Sequence, residues 1–331
     1  MTNPISLSNA DASLARLLNY LQAEAYRFIT VTPLTHARVL TRRAGETGSS
    51  LRDIFGWNLP FTEAALPAVI LHSMDAAGVL ERCGEQLRSK VRVSSMDDAL
   101  FLHSAYPTQQ EDAVFFGPDT YRFVRFMRQA LHGVTPVPGM RILDIGCGSG
   151  AGGLMLAKQY PGSRLVMNDI NPLALHYAAL NARSLGVTAQ LAQGDSVNAV
   201  DGEFDLIIAN PPYLIDKNAR TYRHGGDKLG RALSLRMVGE SLPRLAQGGR
   251  LLLYTGVAMV DGVDGLMQEL KPLLAEAACS WRYEEIDPDV FGEELEQPAY
   301  KQVDRIAAVG LDACRNMQEG KTARSQGIDF Q

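Results

Sequence analysis

The sequence has no two cysteines close enough to form a CxxC unit; Cys83, Cys147, Cys279 and Cys314 stand far apart. Neither a disulfide framework nor a zinc site is expected, and scattered thiols fit a reducing compartment. No apolar run reaches the length of about 18 residues that a spanning helix needs, so no membrane partner is expected. The start, MTNPISLSNADASLARLLNY, has no basic segment leading into an apolar core. It does not read as a signal peptide, and a cytoplasmic location is the expectation. Positive charge is not in excess either: 32 Lys and Arg face 37 Asp and Glu, a formal net charge of -5. The chain as a whole offers no electrostatic footprint for nucleic acid.

What is present fits a soluble globular chain, with 46% hydrophobic and 21% charged residues. At 331 residues, two domains are expected. Residues 1–112 read as helices followed by a hairpin. DASLARLLNYLQAEAYRF carries apolar positions at helical spacing behind Asp11 as a cap, and LTHARVLTRR and TEAALPAVILHSMDAAG read as two more helices. VLERCGEQLRSKVRVSS follows as two strands turning through Cys83-Gly84-Glu85. This is a winged-helix-like module, for recognition of a substrate or for packing and homodimerisation.

From about residue 136, strands alternate with helices, the pattern of a parallel sheet. MRILDIGCG, SRLVMNDI, TAQLAQGD, FDLIIANPPY and RLLLYTGV read as five strands, with two more near 279–286 and 303–310. AGGLMLAKQYP, PLALHYAALNARSLG, ALSLRMVGESLPRLAQGG and a segment near 262–276 are the helices between them. The expected fold class is α/β, a seven-stranded Rossmann-like domain over residues 113–311. Residues 312–331 read as a polar tail without periodicity.

LDIGCGSGAGG turns from the first strand into a helix. Gly146, Gly148 and Gly150 let the backbone turn tightly and a ligand approach it. A dinucleotide is one reading, yet Asp144, two residues before the first glycine, would repel a pyrophosphate and favour a cation. Asp169 ends the second strand, where an acid accepts ribose hydroxyls, with Asn168 beside it as a second candidate. Asp195 and Ser196 end the third. All lie at carboxyl ends of strands, where open α/β sheets bind ligands.

Asn210-Pro211-Pro212-Tyr213 ends the fourth strand. The Asn210 amide oxygen and a backbone carbonyl such as that of Pro211 are two acceptors for the hydrogens of a planar –NH2 group. The two prolines fix φ and preorganise them, and Tyr213 is placed to stack on the planar group. Arg220, Arg223, His224, Lys228 and Arg231 form a basic stretch near the same face, and EELEQP (293–298) reads as a solvated acidic loop.

In this order and spacing, LDIGCGSG, ND, GD and NPPY resemble class I S-adenosylmethionine (SAM) methyltransferases that modify amide or exocyclic amino nitrogens. Over residues 113–310 the chain most resembles the protein-(glutamine-N5) methyltransferases of peptide-chain release factors. The resemblance implies SAM as cofactor, bound by Asp144, Gly146, Cys147, Gly148, Gly150, Asp169, Ile170, Asp195, Ser196 and Asn210, with Asp195 at the position that contacts the adenine amino group. Catalysis would fall to Asn210, Pro211, Pro212 and Tyr213, without a metal. FFGPDTYRFVRFM stands where the family has a Pro-Asp-Thr-Glu segment, so Phe116 and Thr120 are expected to border the cofactor. Three departures touch substrate recognition. Tyr121 replaces that segment's glutamate, the stretch from Tyr213 to Gly225 is short, and YTG (254–256) stands where an acid is usual. The expected acceptor is a protein glutamine or a small molecule with a planar nitrogen. A nucleic-acid base, or a regulator that only senses SAM, are the alternatives.

Overall fold

The computed structural model describes residues 8–108, 110–135, 137–216 and 223–316. Arg220 and the chain beyond residue 316 lie outside the described residues.

Three helices open the chain: α1 (Asn9–Ala23), α2 (Pro33–Arg42) and α3 (Ala68–Ala76). The cap of α1 is Ser8 and not Asp11. Ser8 accepts from the Asp11 N–H while the Asp11 carboxylate accepts from the Ser8 N–H, a reciprocal capping box. The third helix is shorter than its apolar pattern because Pro67, at its N-cap, disfavours helical backbone at Leu66, which is extended with φ -133° and ψ 150°. Strands β1 (Leu80–Cys83) and β2 (Gln86–Ser89) form the expected hairpin, which turns through Gly84 and Glu85. A second hairpin, β3 (Val91–Met96) with β4 (Ala99–Ser104), follows directly, and both of its strands are buried along their whole length.

That second hairpin joins the two parts of the molecule. Met96, Ala99 and Phe101 pack into the same core as α4 (Pro118–Ala130). The main sheet follows as β5 (Arg141–Ile145), α5 (Ala151–Gln159), β6 (Arg164–Asp169), α6 (Pro172–Ser184), β7 (Ala189–Gln193) and β8 (Phe204–Ala209). On the other side of β4, Ala174, Tyr177 and Leu180 of α6 enter the core of the N-terminal helices. The fully buried amide of Asn181 pairs with both backbone groups of Leu102 and donates 2.9 Å to the carbonyl of Ser149 in the glycine loop. The N-terminal part is therefore fastened to the cofactor end of the sheet by a side chain that would be costly to leave unpaired.

The chain continues as α7 (Ala232–Ser241), β9 (Leu245–Val260), the two-residue β10 (Val263–Asp264), α8 (Gly265–Glu276), β11 (Cys279–Asp287) and β12 (Arg305–Arg315). The sheet runs β7-β6-β5-β8-β9-β12-β11, with β10 turning back on β9. Strands β5 to β9 are parallel, and β12 is antiparallel to both its neighbours. Seven strands lie on this path, the number expected of the α/β domain. The domain's last strand continues to Arg315, so the boundary at residue 311 is corrected: residues 312–314 pair with both β9 and β11, and Arg315 pairs with β11. Strand order reverses between β5 and β8, where their outgoing chains diverge and open a crevice.

Candidate active site

The crevice is a cleft of about 670 Å³, within the size range of small-molecule sites. It runs from the glycine loop to the tetrapeptide after β8. At its first end Gly146, Gly148 and Gly150 have φ of 66°, 54° and 80°, all in the left-handed region that other residues resist. Gly146, Cys147, Gly148 and Ser149 line the cleft. Gly150 does not. A Cβ there would lie 3.0 Å from Met167 and 3.2 Å from Ala178, so its role is to let α5 approach the sheet.

Asp144 is fully buried at the same end and accepts 2.7 Å from the Gly153 N–H in the first turn of α5. Burial, reinforced by the nearby charge of Asp169, pushes its carboxyl up to about 7 against the pull of that hydrogen bond. Asp169 spans the turn, accepting 2.9 Å from the Gly148 N–H and 2.9 Å from the Asn171 N–H. Burial raises its carboxyl too, although those backbone donors oppose the shift. Asn168 lies beneath as a tie, donating to the Ala192 and Gly194 carbonyls beyond it. Ile170 is half exposed in the cleft wall, an apolar face beside the acid.

Asp195 and Ser196 also line the cleft. Asp195 is gripped by Arg236 of α7 in a two-pronged pair of 2.8 Å and 2.7 Å, and that partner holds its carboxyl below the usual range. Arg236 lies 41 residues away in sequence, and no local pattern singled it out.

At the other end Asn210 is half-buried, and its side-chain amide makes no hydrogen bond to another described residue. The Pro211 carbonyl accepts none from a described donor. Tyr213 has a different place from the one expected. Its hydroxyl donates to Asp119, while Tyr254 donates 2.8 Å and Arg122 3.1 Å to the same carboxylate. The Tyr213 ring covers Gly256 so closely that a Cβ there would fall 2.1 Å from it. Tyr213 is thus a buried anchor for the tetrapeptide, and Tyr254, of the YTG stretch, shares its carboxylate.

Other expectations are corrected. Phe116 turns away from the cleft and stacks on Phe101 and His103, while Phe115 lines the wall. Thr120 does line the cleft and receives the Gly117 N–H at 3.3 Å. Tyr121, which replaces the segment's glutamate, donates to the Ser95 carbonyl and accepts from the Thr30 N–H, serving the N-terminal module. Within the basic stretch, Arg223 and His224 line the cleft, whereas Lys228 and Arg231 turn to Glu269 of α8. The acidic loop is not solvated at Glu294, which is buried and pairs with Arg223. Among the described residues no cluster suits a metal ion.

Residues 125–259 match the family described as "Methyltransferase small domain". Curated relatives include release factor glutamine methyltransferases from Rhodospirillum rubrum, 36% identical over 184 residues and covering 54% of each chain, and from Deinococcus radiodurans, 31% identical over 180 residues. The latter match covers 50% of this chain and 59% of the relative. Ribosomal RNA small subunit methyltransferase C from Pseudomonas entomophila is 31% identical over 104 residues, 28% of this chain and 31% of that protein. The chain thus spans roughly a third to three-fifths of the length of these relatives. The matched segment contains the glycine loop, the three acidic strand ends and the tetrapeptide. Residues 125–259 are thus the stretch that this chain shares with methyltransferases.

Proposed function

We propose that the chain is a SAM-dependent N-methyltransferase whose acceptor is a planar nitrogen, a protein glutamine amide or a comparable group. The carrying observation is the pair of unengaged acceptors, the Asn210 amide oxygen and the Pro211 carbonyl, at the end of β8 in the cleft wall. Elsewhere in the cleft Asp144, Asp169 and Asp195 already receive donors from the chain itself.

The residues fit the cofactor. Left-handed glycines bring backbone to the cleft surface, Asp144 favours a cationic amino group, and Asp169 stands at the ribose position. SAM, when bound, supplies a methyl group on a sulfonium, so an N–C bond forms as the S–C bond breaks and the acceptor loses one N–H proton. Asn210 and Pro211 accept the two N–H hydrogens and so orient the nitrogen lone pair toward the cofactor end. Their hold strengthens as positive charge develops on nitrogen, which stabilises the transition state more than the ground state. Tyr213, fixed by Asp119, keeps both acceptors from drifting, and proximity supplies much of the remaining rate.

The test is incubation of the protein with methyl-labelled SAM and separated protein, RNA and small-metabolite fractions of a bacterial lysate. Label should appear on glutamine in the protein fraction and disappear with Asn210→Ala. Label confined to RNA would replace the protein acceptor with a base amino group, and label confined to metabolites would replace it with a small molecule.

A further inference from the structure

The turn after β7 is shaped by helix α7. We propose that Arg236 and Glu240 are positioning residues that set the cofactor site's preference for an adenine base. This rests on reading the cleft as the SAM site, with Asp195 facing the base.

Arg236 and Glu240 are four residues apart, so they project from one face of α7. Each holds one residue of the turn: Arg236 takes both oxygens of Asp195, and Glu240 accepts from the Ser196 hydroxyl. Ser196 has φ 86° and ψ -164°, a backbone region that essentially only glycine adopts. A serine stays there only when its surroundings over-determine it, and Glu240 is the side-chain partner that does so. Asp195 is more than half exposed, so without Arg236 its carboxylate would be free to rotate and hydrate. Held by the fork, it keeps lone pairs for a donor such as an exocyclic amino group, because a carboxylate has about four acceptor positions and the arginine uses two. Ordering the acceptor before the ligand arrives removes a cost that binding would otherwise carry. Arg236 also lines the cleft, so the face that reads the base comes from α7 as well as from the strand end.

The experiment is calorimetry on the full chain with S-adenosylhomocysteine and S-inosylhomocysteine, which differ in carrying a 6-amino or a 6-oxo group. The unaltered protein should bind the adenosyl form about tenfold or more tightly than the inosyl form. Arg236→Ala should collapse that ratio, chiefly by weakening the adenosyl form. Arg236→Lys should not restore it, because an ammonium is a point charge without the two-pronged fork. Glu240→Leu should narrow the ratio less. Equal weakening of both ligands by Arg236→Ala would mark a merely structural role and overturn the proposal. Unchanged or tighter adenosyl binding would overturn it as well. An unaltered protein that binds both ligands equally would refute the base-facing role of Asp195 and this inference with it. Failure to bind S-adenosylhomocysteine at all would overturn the cofactor reading itself.

Discussion

The two ends of the cleft treat their polar groups in opposite ways. At the glycine-loop end, Asp144 and Asp169 are buried and accept from backbone N–H groups of the protein, and Asn168 donates to two backbone carbonyls while its own Oδ1 has no partner among the described residues. At the β8 end the Asn210 amide and the Pro211 carbonyl have no partner among the described residues, while Tyr213, two positions on, is tied down completely. The first end is a cradle whose carboxylates are held by the protein's own backbone donors. The second is rigid only in its foundation and leaves its acceptors to the substrate. On the proposed function the first end binds the methyl donor and the second aligns the acceptor, and mutations should respect that division.

The largest break comes at Asn210. Asn210→Ala removes one preorganised partner of the reacting nitrogen, and turnover should fall about 100- to 1,000-fold while the SAM dissociation constant stays within about twofold. Calorimetry beside single-turnover kinetics checks the split; a matching loss in SAM affinity would merge the two ends. Asp169→Ala should do the reverse. It removes an acceptor that organises Gly148 and faces the ribose position, so SAM affinity should fall about 30- to 100-fold, read by calorimetry. Asp119→Asn tests the foundation. Both phenols lose a charged acceptor, and kcat should drop about tenfold with SAM affinity unchanged. Combined with Tyr213→Phe, the effect should be far from additive, since both act through one contact.

The sequence shows these ends unequally, for physical reasons. Strand–helix alternation, the glycine loop and the acidic strand ends are local patterns, and each lies where the spacing predicts. The hairpin β3–β4 is only partly legible: Val91–Ser95 reads as the end of the first hairpin, while Leu100-Phe101-Leu102 of β4, buried on both faces, carries no alternation to mark it. Helix α4 escapes beside it: PDTYRFVRFM reads first as a cofactor segment, although its apolar residues at helical spacing build the core. Contacts made in three dimensions are least legible. Arg236 reaches Asp195 across 41 residues, Tyr213 reaches Asp119 across 94, and buried Glu294 pairs with Arg223, 71 residues away. Phe115 and Phe116 are adjacent aromatics; which one faces the cleft depends on His103 and Phe101 behind them. What a tetrapeptide can do is local information, whereas what holds it still is not.

The smallest expected effect concerns protons at the cradle. Asp144 is raised to about 7 by burial, so in the free protein near neutral pH it is divided between acid and carboxylate. A cationic amino group at that end favours the carboxylate, and SAM binding should therefore release a proton. The affinity should rise with pH through the range below about 7, by less than tenfold per unit because one group titrates, and level off above it. The stability contribution has the opposite slope. A carboxyl whose folded value lies above its unfolded one stabilises the fold fully below the unfolded value, and that contribution is lost as pH rises through the folded one. Asp144→Asn keeps the size of the side chain and removes the titration. Its melting temperature should lose part of the decline between about pH 4 and 7, and its weakened SAM affinity should no longer vary with pH over that range. Calorimetry in two buffers of different ionisation enthalpy reads the released proton directly. Release that persists in Asp144→Asn would assign it to Asp169, whose carboxyl burial also raises, and would move the charge-sensing group of the cradle from β5 to β6.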